Sequence, residues 1–380
     1  MNLLPIRKVD RLVLSEFVPF FLMGVAAFTL LMVAVTLFKD MLTYVTNYGL
    51  SPAEVGVFFI LALPQTIAYT FPMAVLFAGL LAFGRLSDTS QITALRAGGI
   101  DFMRIVLPAL IFAWFVVLLT FVLNEKVAPQ SSMAARLYIQ RALVAKGISQ
   151  QATDISYMDQ AGGWLFAAAR GEGNDFYDVK WWDFSQPGEM VLFIAEEGIW
   201  QQNKWEFRNV RVIHIPNNGI GRNEPESGER NVVRSLTSDT MEMYIARTPT
   251  DILAQNNRDP EEMSLQELHA YLESPVAEER TITYRRKIEA TYDLKIAAPF
   301  ASIIFILLAA PLGMTSQRSS STMGIGLSML LVFFYYMMTT FAVKVAQTGA
   351  VSPEIAAWFP NAIFLVAGIV LNARFYMKSG

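Results

Sequence analysis

Long apolar runs lie at both ends of this chain, three before and three after a polar block of roughly 150 residues. The runs cover residues 17–38, 55–83, 105–123, 296–314, 323–341 and 355–371. Each offers close to the about 20 residues that a helix needs to cross about 30 Å of hydrocarbon. The pattern therefore predicts an α-helical membrane protein with six transmembrane helices, arranged three plus three. The block near 125–286 is soluble in character and too large for a loop, so it reads as one inserted domain. The chain divides into 1–124 (spans one to three), 125–283 (the inserted domain and its return segment) and 284–380 (spans four to six).

Inside the block the period changes to that of strands. Residues 163–170, 176–184, 189–200, 204–215 and 231–245 are short runs rich in β-branched and aromatic side chains. Turn signals separate them: Gly171-Glu172-Gly173-Asn174, Pro187-Gly188, residues 201–203 and Pro216-Asn217-Asn218-Gly219. Trp205, Phe207 and Val210 stand against Lys204, Glu206 and Arg208. Five or more strands at this spacing suggest a sandwich or open barrel. Trp164, Trp181, Trp182, Trp200 and Trp205 either line an apolar groove or form an ordinary core. Residues 219–230 read as a polar loop, and 263–272 as a short helix returning to the membrane.

The apolar pattern leaves charge to set the orientation. With the N-terminus inside, nine basic residues fall on inner segments: Arg7, Lys8, Arg11, Arg85, Arg96, Arg104, Arg318, Arg374 and Lys378. Only Lys39 and Lys344 fall in or near the short outer loops. Both termini are therefore expected in the cytoplasm and the inserted domain outside it. Arg285, Arg286 and Lys287 run against this trend just before span four. They either pair with Glu278, Glu279 and Glu289 or form a cationic lip for an anionic headgroup. The first run is too long for a cleaved signal peptide and reads as a retained span. No charge lies within the six apolar runs, so no intramembrane proton or sodium relay is expected.

Composition removes further classes. The 53% hydrophobic content suits a membrane protein, and the net charge of −3 carries no nucleic-acid signal. With no cysteine and two distant histidines (His214 and His269), the chain has no disulfide framework and no evident metal site. Neither a phosphate-binding Gly-x4-Gly-Lys loop, nor a Gly-x-Ser-x-Gly elbow, nor a His-Glu-x-x-His pair occurs. No catalytic residues and no cofactor are expected.

One inner segment could do mechanical work. Residues 84–100 contain Ser87 as a candidate cap, Asp88 in a first turn and Gly98-Gly99 as a terminator. They predict a short interfacial helix with Leu86, Ile92 and Leu95 on one face and Asp88 near Gln91 on another. It serves as a plain connector or as a docking helix for a cytoplasmic motor.

Residues 84–87 with Thr93-Ala94-Leu95-Arg96-Ala97-Gly98-Gly99 resemble the coupling-helix motif of the LptF/LptG permease family. Other similar fragments follow in order along nearly the whole chain. They are Asp10-Arg11 with Glu16-Phe17, Asn124-Glu125 with Pro129, residues 194–200 with Trp205-Glu206-Phe207, and Thr248-Pro249. Pro260-Glu261 with Met263-Ser264, Pro311-Leu312-Gly313 and Trp358-Phe359-Pro360-Asn361 complete the set.

The resemblance implies a permease subunit of an ABC transporter. It would extract lipopolysaccharide, or a similar amphiphilic lipid, from the bacterial inner membrane. The implied partners are a cytoplasmic ABC ATPase dimer, a second permease subunit of the family or a copy of this chain, and a periplasmic β-jellyroll bridge protein. The inserted domain would itself be a periplasmic β-jellyroll-like fold. Arg85, Asp88, Gln91, Leu95 and Arg96 would couple to the ATPase. The family usually carries a glutamate where Gln91 stands, and Asp88 could supply the carboxylate instead. Lys39 matches roughly where the family places a lipid-contacting lysine, and it could equally be an interfacial anchor. Lys126, Arg136, Arg285 and Arg286 are further headgroup candidates. The other function class is a membrane-anchored periplasmic lipid-binding or scaffold protein without a transport cycle, and dependence on an ATPase separates the two.

Overall fold

The apolar runs fold as helices that extend past them into polar sequence. The computed structural model describes residues 4–37, 42–146, 148, 151–158, 163–184, 189–216, 234–244, 247–256, 259–273, 282–315 and 321–379. In chain order the first half contains α1 (Leu4–Met32), α2 (Pro52–Asp88), the short α3 (Gln91–Ala97), α4 (Phe102–Val122) and α5 (Ala128–Ala145). Six strands follow: β1 (Gln151–Met158), β2 (Trp164–Glu172), β3 (Asp175–Asp183), β4 (Glu189–Gln201), β5 (Lys204–Pro216) and β6 (Arg234–Met243). The chain returns through α6 (Pro249–Asn256), a 3-10 turn (Pro260–Glu262) and α7 (Leu265–Leu272). It ends with α8 (Ile282–Thr315), α9 (Ser321–Thr348) and α10 (Pro353–Ser379). Six of these helices are long and apolar enough to cross a membrane, namely α1, α2, α4, α8, α9 and α10. The protein is an α-helical membrane protein with an antiparallel β-domain inserted between two sets of three spans.

α2 and α8 form the centre of the bundle: 83% and 67% of their apolar windows are buried inside the protein, against 17% for α1. Small residues let them meet closely. A Cβ on Gly313 would lie 3.0 Å from the Leu80 carbonyl oxygen and 3.1 Å from the Gly84 nitrogen, so no larger side chain fits without separating the helices. Two residues before it, Pro311 has no N–H to offer the Leu307 carbonyl. Asn372 of α10 donates to that oxygen at 2.6 Å. Asn361, also on α10, accepts from the Tyr335 hydroxyl at 2.9 Å and donates to the Ala297 carbonyl at 2.7 Å. The motifs around Pro311 and Asn361 are thus polar ties among the last three spans.

α8 starts well before its apolar run. Arg285 to Lys295 are helical, and Lys295 is buried at 7% exposure. The expectation that the spans carry no charge holds for the apolar runs but not for the whole helix.

The β-domain is a single six-stranded antiparallel sheet with strands in chain order. Five of the strands follow the expected runs closely, and β1 is additional. The expected turns form where a left-handed backbone is allowed, at Gly173 (φ 62°) and at Gln202 and Asn203 (φ 49° and 67°). The Pro187-Gly188 turn and the 219–230 loop lie outside the described residues.

One row crosses the whole sheet without ladder pairing: Asp154, Ala169, Asp178, Glu196, Asn209 and Asp239 are skipped by all five ladders. The register is the same on either side of this row. Inward-facing residues are spaced by three across it rather than two, as in Phe176 then Val179, Ala195 then Gly198, and Phe207 then Val210. Asp178 (φ 53°) and Asn209 (φ 52°) take the left-handed backbone that this change of alternation requires. The row is a crease, and polar pairs line its outside. Asn209 donates to Glu196 at 2.6 Å, and Arg208 meets Glu197 at 3.2 Å. The creased sheet encloses an aromatic core around Phe166, Phe176, Trp181 and Trp205, closed at one end by Ile252 and Leu253 of α6. Its opposite face carries Leu165 and Trp182, which pack on Leu268 and Tyr271 of α7 and Ile288 of α8.

Candidate functional site

The sequence places candidate residues at the two ends of the bundle. At the end opposite the β-domain, α2 runs to Asp88 and then breaks at Thr89-Ser90, with Ser90 at φ 57°. α3 begins at Gln91. Ser87 is therefore not a cap: it lies inside α2, and its hydroxyl donates to the Met314 carbonyl of α8 at 3.0 Å. For the same reason Asp88 and Gln91 sit on two helices joined by an elbow, not on one helical face. Gly98 and Gly99 end α3 as expected. Gly99 adopts φ 80°, and Ile100 N–H reaches back to the Leu95 carbonyl at 3.1 Å. Asp101 then caps α4 by accepting from Met103 N–H at 2.9 Å.

The elbow has a packed side and an open side. Leu86 and Ile92 are buried and Leu95 packs beside them. Asp88, Thr93, Ala94 and Ala97 are exposed. Arg85 reaches Glu16 of α1 at 3.1 Å, and Arg104 reaches Asp10 of α1 at 2.6 Å. The Arg96 guanidinium stands 5.6 Å from the Phe375 ring centroid. Gln91 is half-buried, and its Oε1 is enclosed without a hydrogen-bond partner. Of the residues predicted here, Asp88 is the exposed carboxylate, while Gln91 and Leu95 face inward.

At the β-domain end the charges lock the return segment onto the spans. Arg136 of α5 grips Glu262 with two hydrogen bonds of 2.6 Å and lies 3.9 Å from Asp259. Lys287 of α8 reaches Asp259 at 3.6 Å. Glu125 accepts from the N–H groups of Leu265 and Gln266 at 2.8 and 3.3 Å, which anchors the start of α7 where the helix dipole favours an anion. Ser264 and Glu267 add a reciprocal capping box. Glu261 still touches solvent, yet the surrounding protein crowds it, and desolvation followed by the nearby Asp259 pushes its carboxyl above the usual range. None of Glu125, Glu261 or Glu262 was singled out for these contacts by the sequence, although the Pro260-Glu261 fragment pointed to the turn.

Lys126 is exposed in the turn between α4 and α5. Arg285 pairs with Glu289 at 3.1 Å, as one of its two alternative readings expects. Arg286 folds over Gly349, where an added Cβ would collide with its guanidinium. Lys39, Glu278 and Glu279 lie outside the described residues. The tryptophans form core rather than an open groove. Trp205 and Trp181 are buried, Trp164 stacks on Trp181 at 4.3 Å, and Trp182 faces α7. A small apolar cleft remains between β3 and β6, lined by Val179, Phe193, Phe207, Met241 and Met243 among others.

Known proteins resemble this chain in sequence. The family model described as "Lipopolysaccharide export system permease LptF/LptG" matches residues 11–374. The LptF permease protein of Escherichia coli K12 is 23% identical over 321 residues, covering 82% of this chain and 80% of that protein. The LptG permease protein of Haemophilus influenzae is 23% identical over 312 residues, covering 80% and 82%. LptG of Escherichia coli K12 is 35% identical over a shorter stretch of 88 residues, 23% of this chain and 24% of that protein.

Proposed function

Because the chain belongs to the LptF/LptG family of lipopolysaccharide export permeases, we propose that it is a permease subunit that moves a lipopolysaccharide-type lipid out of the bacterial inner membrane, driven by a separate cytoplasmic ABC ATPase dimer. The observation that carries this reading is the α2–α3 elbow. It lies at the end of the bundle away from the β-domain, its inner side is built into the core, and its outer side is open. A motor that moves the elbow moves α2, the most enclosed span, directly.

Arg85, Asp88, Gln91, Leu95 and Arg96 form this docking region, with Asp88 as the carboxylate that meets the motor. Leu95 and Gln91 support it from beneath. At the other end Lys39, Lys126, Arg136, Arg285 and Arg286 form the cationic rim for lipid phosphates. Arg136 and Arg285 do so while held by Glu262 and Glu289. A second permease subunit, of the family or a copy of this chain, completes the lipid cavity. The β-domain stands in the periplasm and passes lipid to a β-jellyroll bridge by strand addition. β1 is flanked by α6, so the partner adds at β6.

The test is gentle detergent extraction of the full chain from its native membrane, with mass spectrometry of the proteins and lipids that accompany it. Recovery of an ABC ATPase, a second six-span subunit and lipopolysaccharide is expected. Asp88→Asn is expected to lower ATPase recovery roughly tenfold, the effect of losing one charge-assisted contact. Recovery of the chain with bulk phospholipid alone would favour the scaffold function.

A further inference from the structure

α3 lies between the second and third spans, so its covalent connections run to the first half of the chain. Among the described residues, the second half meets the elbow at Ser87 and at Arg96. Ser87 bonds the Met314 carbonyl of α8 at the root of the elbow. Near the end of α10, Phe375 meets α3 itself: its ring lies 5.6 Å from the Arg96 guanidinium and 4.8 Å, centroid to centroid, from the ring of Phe102 at the start of α4. The Phe375 side chain packs on the same apolar cluster that buries Leu86, Ile92 and Phe102. α10 is in turn tied to α8 by the amides of Asn361 and Asn372 on the Ala297 and Leu307 carbonyls, at 2.7 and 2.6 Å.

These contacts make a continuous path from α3 through Phe375 into α10 and on to α8. We infer that Phe375 is a positioning residue that carries displacement of α3 into the last three spans, so that both halves of the bundle follow the motor. This rests on the reading of the elbow as the motor's docking segment. The chemistry suits the task. A guanidinium over an aromatic face is held by the ring quadrupole, and packed rings resist sliding, so the contact works when α3 is pushed and when it is pulled. Energetic coupling between distant sites travels through packed chains of this kind.

Phe375→Leu keeps the apolar bulk and removes the π face. Phe375→Tyr keeps both. The full chain with its ATPase is reconstituted in nanodiscs containing lipopolysaccharide. ATPase recovery, melting temperature and the ratio of lipid-stimulated to basal ATP hydrolysis are read together. The leucine variant is expected to keep its melting temperature and its ATPase while the stimulation ratio falls by about fivefold or more, at the lower end of ordinary coupling between sites. The tyrosine variant is expected to retain the ratio. An unchanged ratio in the leucine variant overturns the inference, as does an equal loss in both variants. Loss of ATPase from the leucine variant also overturns it, since Phe375 would then shape docking and not transmission. Failure of the unsubstituted chain to bring down any ATPase would instead overturn the docking reading itself.

Discussion

Arg136 shows how one side chain can serve the join between two parts of a protein. Its guanidinium meets Glu262 with two 2.6 Å bonds, and only 23% of the arginine side chain and 16% of the glutamate side chain remain exposed. An exposed ion pair contributes little, but a bidentate, half-enclosed one leaves an expensive charge behind when it is broken. Arg136→Gln is expected to destabilise the protein by about 2–3 kcal/mol, because the two charge-assisted bonds from the guanidinium to Glu262 are lost. Arg136→Lys keeps the charge but loses the fork, and recovers less than half of that. Exchanging the partners, Arg136→Glu with Glu262→Arg, is expected to restore part of the loss. Thermal unfolding in detergent across the double-mutant cycle measures it, and additive single effects would show that the pair is not coupled.

At the scale of elements, prolines inside spans are the clearest test of how helices repair one another. Pro311 frees the Leu307 carbonyl, and Asn372 fills the gap with its amide hydrogens while its own Oδ1 stays without a partner. The amide is held for its donor end. Asn372→Leu is therefore expected to cost about 1–2 kcal/mol. In a Pro311→Ala background the helix supplies its own N–H, and the same change is expected to cost close to nothing. Equal costs in both backgrounds, measured by unfolding in micelles, would remove the repair explanation. Such ties explain which parts of the fold could be read from the chain. Runs of apolar residues identified the six spans because helix length and hydrocarbon thickness are local matters. Turns at Gly173 and Gln202-Asn203 were legible because backbone sterics are local too. β1 was missed because Gln151-Ala152-Thr153-Asp154 has no apolar alternation, and α5 because its burial depends on α2 and the return segment. The start of α3 was misplaced because Ser87 found a better partner in Met314, a residue 227 positions away. The crease was present in Glu196-Glu197 and Arg208-Asn209, polar doublets that interrupt alternation, but only neighbouring strands show that they align. Of the candidate site, the identity of the elbow residues was legible, whereas the inward turn of Gln91 and the grip of Glu262 on Arg136 depend on elements far apart in the chain.

At the scale of the whole molecule, the β-domain has two apolar faces with different duties. The concave face holds Trp205, fully buried among Phe166, Phe176 and Phe207, with its indole N–H on the Arg247 carbonyl at 3.1 Å. The other face holds Trp182, 4% exposed, against α7 and the start of α8. Both tryptophans are enclosed, so burial alone ranks them alike. Their neighbours do not. Trp205 joins strands to one another, and Trp182 joins the sheet to helices that lead into the membrane. Trp205→Ala is expected to unfold the sheet, with a cost of about 3–5 kcal/mol from the cavity and the lost transfer energy. Trp182→Ala removes a similar volume, but the sheet keeps its aromatic core, so the domain should stay folded and come loose from the spans. Limited proteolysis of the full chain separates these outcomes. The first variant is expected to be cut within the strands, and the second to release an intact β-domain fragment by cleavage near its junctions. Release of an intact domain by Trp205→Ala would show that the concave core does not hold the strands together. Cleavage within the strands in Trp182→Ala would show that sheet and spans fold as one cooperative unit, in which case motion at the elbow would reach the β-domain through a rigid body and not across a joint.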